Sequence, residues 1–315
     1  PLLGAAGYVG LMIWHGGISG SAPIKVSEKN HIYNLMSGIS SPENLTKLPI
    51  NINFSETVLS TANLTTYLIL IILVPLSFWI INKFIKTSKF EFDSINQNIK
   101  LNINQNNSEN LKIDSSKIMG LIFGCFIIFS FAINYGEQVL LFQITPNALN
   151  LLMLGVGIIL HKNFQSFLSA LKIAVGGASG ILIQFPLYFG IMGIMKDSGL
   201  IILMSDFFIS ISTETTLPIF TFLSAGFVNI FVPSGGGQWA IQGPIIIEAA
   251  LNLKVPLNKI VMALAYGDQL TNMLQPFWAL PLLAITGLKA KDILPYSLII
   301  MVLGAIIFIG SLIIF

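Results

Sequence analysis

Asp268 is the residue whose surroundings most demand a chemical explanation, because nothing else between Val261 and Leu288 carries a charge. A carboxylate at membrane depth costs about 2.5–3.5 kcal/mol on insertion scales and marks a functional site by default. Thr271, Asn272 and Gln275 follow at i+3, i+4 and i+7, so on a helix they share its face. A carboxylate, a hydroxyl and two amides on one face suit a hard cation or a proton, and Asp268, Thr271 and Asn272 are read as a coupling site for H+ or Na+. The plainer alternative is that these groups only bond neighbouring helices.

A second polar stretch is Phe231-Val-Pro-Ser-Gly-Gly-Gly-Gln-Trp-Ala-Ile-Gln-Gly-Pro-Ile245. It lies in a run of 33 residues without an ionisable side chain, between Glu214 and Glu248. One crossing takes about 20 residues, so the run is too long for one helix and too short for two. It predicts a re-entrant hairpin over about 217–252, broken at Pro233–Gly237. Unpaired backbone at that depth is tolerated only where protein buries it or it lines a cavity. Ser234, Gln238 and Gln242 add side-chain hydrogen-bonding groups, and such a tip can hold a small polar solute. Close backbone approach at Gly236 would exclude bulk there. The Ser234–Gly237 run lacks the Lys-Ser/Thr of a phosphate loop.

A third candidate is His15, within Trp14-His-Gly-Gly-Ile-Ser-Gly-Ser-Ala-Pro23. It could relay a proton near neutral pH, or be hydrogen-bonded for structure alone. The glycines after Trp14 argue for a helix broken at membrane depth. At an offset of 258 Tyr8 falls on Tyr266, Gly10 on Asp268, Trp14 on Asn272 and Pro23 on Pro281. That suggests an internal repeat, with a broken helix early in the chain and another over about 258–288.

The elements that must position these groups follow from composition. Of 315 residues 54% are apolar and 10% charged, with mean hydropathy +0.81. A soluble domain carries about a quarter charged residues, so the chain reads as an all-α polytopic membrane protein. Net charge +2 gives no reason to expect a nucleic-acid partner. All 16 basic residues are lysine, so the bidentate guanidinium clamp for carboxylates is absent. The lone Cys125 excludes an internal disulfide. Uncharged runs at Leu64–Asn82, Ile118–Tyr135, Pro146–Leu160, Ile173–Met195 and Leu294–Phe315 predict membrane helices, with Pro75 kinking the first, while the short Leu200–Ile211, which carries Asp206, is read as lying along the interface or re-entering. Three regions result: 1–87, with the first broken helix, a polar loop at 25–63 and one span; a polar linker at 88–117; and 118–315, with the remaining spans, the hairpin and the second broken helix. Six lysines in 83–117, against none in Glu137–Pro146, put the linker on the cytoplasmic side and the 25–63 loop outside.

The segments Trp14–Pro23 and Val232–Pro244 resemble the short-chain fatty acid transporter family, the bacterial acetoacetate and butyrate permease type, over essentially the whole chain. The resemblance implies a multi-pass carrier of the bacterial inner membrane for short monocarboxylates, coupled to protons or sodium, within the wider ion-transporter superfamily. That superfamily pairs hairpins with broken helices in an inverted-repeat plan and moves by elevator-like displacement. Ser234, Gly235, Gly236, Gly237 and Gln238 of the hairpin tip, with Trp14, His15 and Ser19, are the expected substrate contacts. Members extend further at the N-terminus, so a first hairpin is expected before Pro1 and the chain reads as N-terminally truncated. The expected partners are the carboxylate and the lipid bilayer, with a homo-oligomer left open and no cofactor beyond the coupling ion. A passive anion channel is the alternative; an intramembrane enzyme would need a nucleophile or metal cluster that the sequence lacks. Glu214 and Glu248 read as interfacial groups rather than substrate ligands.

Overall fold

Long uncharged runs fold as long helices, since a backbone in hydrocarbon must satisfy its own hydrogen bonds. The computed structural model describes residues 1–37, 40–84, 114–140, 146–275 and 278–315, and all regular structure among them is helical. Thr61–Phe84, Lys117–Leu140 and Ala290–Ile314 contain runs long and apolar enough to cross a membrane. The first keeps its helix through Pro75 and leaves Leu68, Ile72 and Trp79 exposed, the surface that lipid would cover. Lys83 lies 3.6 Å over the Trp79 ring, placing its charge at the helix end. The polar linker lies, for most of its length, outside the described residues, as does Pro276, which the sequence would have end the Asp268 helix.

The chain divides into two units, 1–89 with 180–315, and 90–179. In the second, Lys117–Leu140 packs on Pro146–Leu160 where both carry glycine: a Cβ at Gly124 would come 3.1 Å from the Gly155 carbonyl oxygen. The first unit holds the polar stretches. Its early segment runs as α-helix Leu2–Tyr8, 3-10 turn Val9–Ile13, a break, then helix Ser21–Ser27. The late segment runs as helix Leu257–Thr271, 3-10 turn Asn272–Leu274, a break, then helix Leu280–Thr286. At the offset of 258 Ser21 falls on Ala279, so the helices after the breaks begin within a residue of each other, while the early 3-10 turn ends at a position equivalent to Thr271, three residues before the late one ends.

The hairpin consists of Leu217–Asn229 and Gly235–Leu253. Its break falls at 230–234, earlier than the expected Pro233–Gly237, and the three glycines form the first helical turn. The cause is Ser234, whose extended backbone and hydroxyl, accepting from the Gly237 N–H at 3.3 Å, make a helix N-cap. The descending arm lies hard against the late broken helix: a Cβ at Gly267 would overlap the Phe222 carbonyl oxygen and come 2.9 Å from the Ala225 Cβ. Side-chain-free contact of this kind holds membrane helices close. The 25–63 connection is not a free loop. Val26, Ile32 and Met36 are fully buried with Trp239, Ile246, Ile247 and Ala250 of the returning arm. The spacing of Ile32, Leu35 and Met36 is that of a one-sided helix, which is what His31–Met36 forms.

Candidate functional site

The two broken helices meet at His15 and Asp268. The His15 Nδ1 is hydrogen-bonded to the Asp268 Oδ2, and both side chains are buried. On the other side of the ring, the Ala22 N–H donates to the His15 Nε2 at 3.0 Å. Ala22 lies in the first turn of Ser21–Ser27, where backbone N–H groups have no partner within the helix. The Trp14 ring stacks on His15 with centroids 4.6 Å apart and planes 22° apart. The second carboxylate oxygen, Asp268 Oδ1, is buried without a hydrogen-bond partner.

Each break is secured by side chains from elsewhere. The Gly16 N–H donates to the Gln269 Oε1 at 2.9 Å, and the Asn63 Nδ2 donates to the Gly16 carbonyl at 3.0 Å. The Tyr266 hydroxyl donates to the Asn63 Oδ1 at 2.8 Å. In the late break the Tyr8 hydroxyl donates to the Asn272 carbonyl at 2.6 Å and also bonds the Gln275 carbonyl. Tyr8 and Tyr266, counterparts at the 258 offset, thus each support the opposite break, Tyr266 through Asn63.

Thr271, Asn272 and Gln275 do not gather around the Asp268 carboxylate, contrary to the expectation of one ligand face. They belong to a network centred on Asn229, at the end of the descending arm. The two N–H groups of the Asn229 Nδ2 are shared among three acceptors, the Asp268 carbonyl at 2.8 Å, the Thr271 hydroxyl at 3.0 Å and the Asn272 Oδ1 at 3.0 Å. The Asn229 carbonyl accepts from the Gln275 Nε2. The helix ends at Thr271, so residues beyond it leave the face that carries Asp268. Asn229 was detectable as an amide within the uncharged run. Its role as a latch was not, since it depends on contacts 39–46 positions away.

The hairpin tip reaches the same place. A Cβ at Gly235 would come 2.7 Å from both the His15 Cε1 and the Trp14 Cη2, so this residue lies directly on the two rings. At Gly236 a Cβ would meet only the Ser21 side chain, at 3.7–3.8 Å, which is ordinary contact. The position closed to bulk is therefore Gly235, not Gly236. Ser234 and Gly237 are engaged in the cap. Gln238 is buried and turned into the hairpin, its Nε2 donating to the Ala225 carbonyl and the Gln242 Oε1, each at 2.8 Å. Ser19 is exposed and, with Gly236, lines a cavity of about 350 Å³. Glu248 accepts from Asn44 at 2.7 Å and from Ser40, fastening the 25–63 connection to the returning arm, while Glu214 is exposed.

A buried acid–imidazole pair where two broken helices and a hairpin tip converge, in a chain of long apolar helices, defines a membrane protein built on a transporter plan. The family model described as short chain fatty acid transporter matches residues 1–315, and the chain belongs to that family. Two curated proteins, each named "Putative short-chain fatty acid transporter", are similar to it. The one from Escherichia coli (strain K12) is 35% identical over 322 residues, covering 100% of this chain and 69% of its own length. The one from Haemophilus influenzae (strain ATCC 51907 / DSM 11121 / KW20 / Rd) is 35% identical over 315 residues, covering 99% and 69%. No solved structure matches the chain significantly.

Proposed function

We propose that the protein carries short monocarboxylates such as butyrate and acetoacetate across the bacterial inner membrane, with one proton moving on the His15–Asp268 pair. The observation that carries this reading is the hydrogen bonding on both sides of His15. Because the Nε2 accepts from the Ala22 N–H, the ring proton belongs on Nδ1, which donates to the Asp268 carboxylate. The pair then bears one net negative charge in a buried place. A second proton has a ready seat on Asp268 Oδ1, the oxygen without a partner, and taking it leaves the Ala22 bond intact.

The charge balance suits one monovalent cation moved with each carboxylate, and the ligand set favours a proton over sodium. An empty carrier with the charged pair and a loaded carrier with the neutral pair plus one bound anion have the same total charge. A full cycle then moves one proton with one carboxylate, and the membrane potential neither drives nor opposes it. Sodium would need several oxygen ligands, and the Thr271 hydroxyl and the Asn272 Oδ1 are already taken up by Asn229.

The test is uptake of labelled butyrate into proteoliposomes holding the full-length protein, driven by a pH gradient at zero potential or by a sodium gradient, with counterflow measured in parallel. Saturable counterflow and accumulation under the pH gradient are expected. Accumulation only under the sodium gradient would refute proton coupling, and flux that never saturates would indicate a channel.

A further inference from the structure

The geometry points to the cavity between the early broken helix, the His31–Met36 helix and the returning hairpin arm as the binding site for the carboxylate substrate, with Lys25 and His31 holding the carboxylate and Leu35 and Trp239 the acyl chain. This deepens the carrier reading and rests on it. The cavity has a volume of about 350 Å³, within the usual range of about 300–1,000 Å³ for small-molecule sites.

Its lining is divided as a short monocarboxylate is divided. Lys25 supplies its cation and His31 a neutral donor, while Leu35 and Trp239 present apolar surface. In a chain without arginine, lysine is the cation left to meet a carboxylate. The Lys25 Nζ already bonds both Glu28 oxygens, at 2.9 and 3.2 Å, but an ammonium carries three N–H groups and Lys25 is half exposed. The tautomer of His31 is fixed by its neighbour. The Trp239 Nε1–H donates to the His31 Nε2 at 3.0 Å, so the ring proton is on Nδ1 and can be donated to an anion. Burial lowers the His31 pKa, with Glu28 opposing and Lys25 adding to the effect, so the ring is a neutral donor at ordinary pH. Trp239 thereby both forms part of the apolar wall and orients the polar contact.

The cavity also adjoins the proposed proton site. Ser21 lines it, and the next residue, Ala22, donates its N–H to His15. An anion seated here would lie one residue from the backbone group that holds the imidazole.

The test uses the full-length protein in proteoliposomes. Lys25→Gln is expected to raise the KM for butyrate counterflow about tenfold, as loss of a charged hydrogen bond does, with the maximal exchange rate retained. Leu35→Phe shortens the apolar wall and should shift preference from hexanoate toward acetate. As a check independent of transport, Leu35→Cys in a Cys125→Ser background should react with a soluble maleimide, and saturating butyrate should slow that reaction several-fold. An unchanged KM and chain-length order in the first two variants, or labelling indifferent to butyrate in a Leu35→Cys protein that still exchanges, would overturn the assignment. Absence of butyrate counterflow by the wild type would instead overturn the carrier reading beneath it.

Discussion

Asp268→Asn separates charge from shape at the centre of the site. Asparagine keeps the volume, and its Oδ1 can accept from the His15 Nδ1–H, so the ring keeps the tautomer that the Ala22 N–H requires. The bond weakens from charge-assisted to neutral, a loss of about 1 kcal/mol, offset by removal of a buried charge, while the amide nitrogen takes the place of the unpartnered Oδ1. Folding should survive. The group that takes the second proton is gone, however, so carrier and proton gradient are uncoupled. For a proton–carboxylate symporter a gradient of one pH unit is worth about 1.36 kcal/mol, which sustains about tenfold accumulation. In Asp268→Asn the ratio should fall to about one. With an inside-negative potential of 100 mV it should fall further, since an anion moving alone is opposed by about 2.3 kcal/mol. Exchange of labelled for unlabelled butyrate, which needs no net proton movement, should persist. Accumulation in the variant equal to wild type would refute the assignment, and loss of exchange in a correctly inserted variant would place Asp268 in the substrate site or the fold instead.

The neighbouring residues make sharper demands than their types suggest. Gly235→Ala drives a methyl group against the Trp14 and His15 rings and should abolish both accumulation and exchange, whereas Gly236→Ala should change thermal stability by less than about 0.5 kcal/mol and leave exchange measurable; equal behaviour of the two would contradict the tip geometry. Asn229→Ala leaves buried acceptors on Asp268 and Asn272 without their donor and should destabilise by about 2–4 kcal/mol, read as a lowered unfolding midpoint in detergent; a midpoint within one degree of wild type would count against the latch. For His31 the folded-state pKa is depressed, so the unfolded chain binds the proton more readily and stability should decline as pH falls below the ordinary value of about 6.5. Protonated His31 can no longer accept from Trp239, so Trp239 emission should change over the same pH range, and His31→Asn should remove that change.

Much of this architecture was legible in the pattern of charge and glycine. The uncharged run between Glu214 and Glu248 required a hairpin because its length fits neither one crossing nor two, and the isolated Asp268 announced itself by cost alone. The glycines after Trp14 marked the early break, and the 258 offset related it to the late one. What could not be read was which partner each polar group would find. His15 and Asp268 were singled out separately, but they are 253 positions apart, and nothing local pairs them. Thr271 and Asn272 looked like companions of the carboxylate, but the Thr271 hydroxyl, still on the helix, bonds Asn229 and the Gly267 carbonyl, and Asn272 lies past the helix end. Gly236 was preferred to Gly235 because composition does not say which of three adjacent glycines faces a ring. The cavity around His31 escaped notice because its polar flanks, rich in Asn and Ser, resemble a solvated loop, and only the spacing of Ile32, Leu35 and Met36 hinted otherwise.

The cross-support of the breaks has a consequence for how the protein is made. The Gly16 N–H finds its acceptor in Gln269, and the Tyr8 hydroxyl its carbonyl in Asn272, across separations of 253 and 264 residues. At about 5–20 residues per second of synthesis, the early segment emerges roughly 13–50 s before its partners exist. During that interval the Trp14–Gly20 backbone must be sheltered by the insertion machinery or remain at the membrane surface, with its hydrogen bonds met by water. The site is thus closed only once Gln269 and Asn272 have been synthesised, and a ribosome stalled before Gln269 would leave a nascent chain whose early break is still open to a protease.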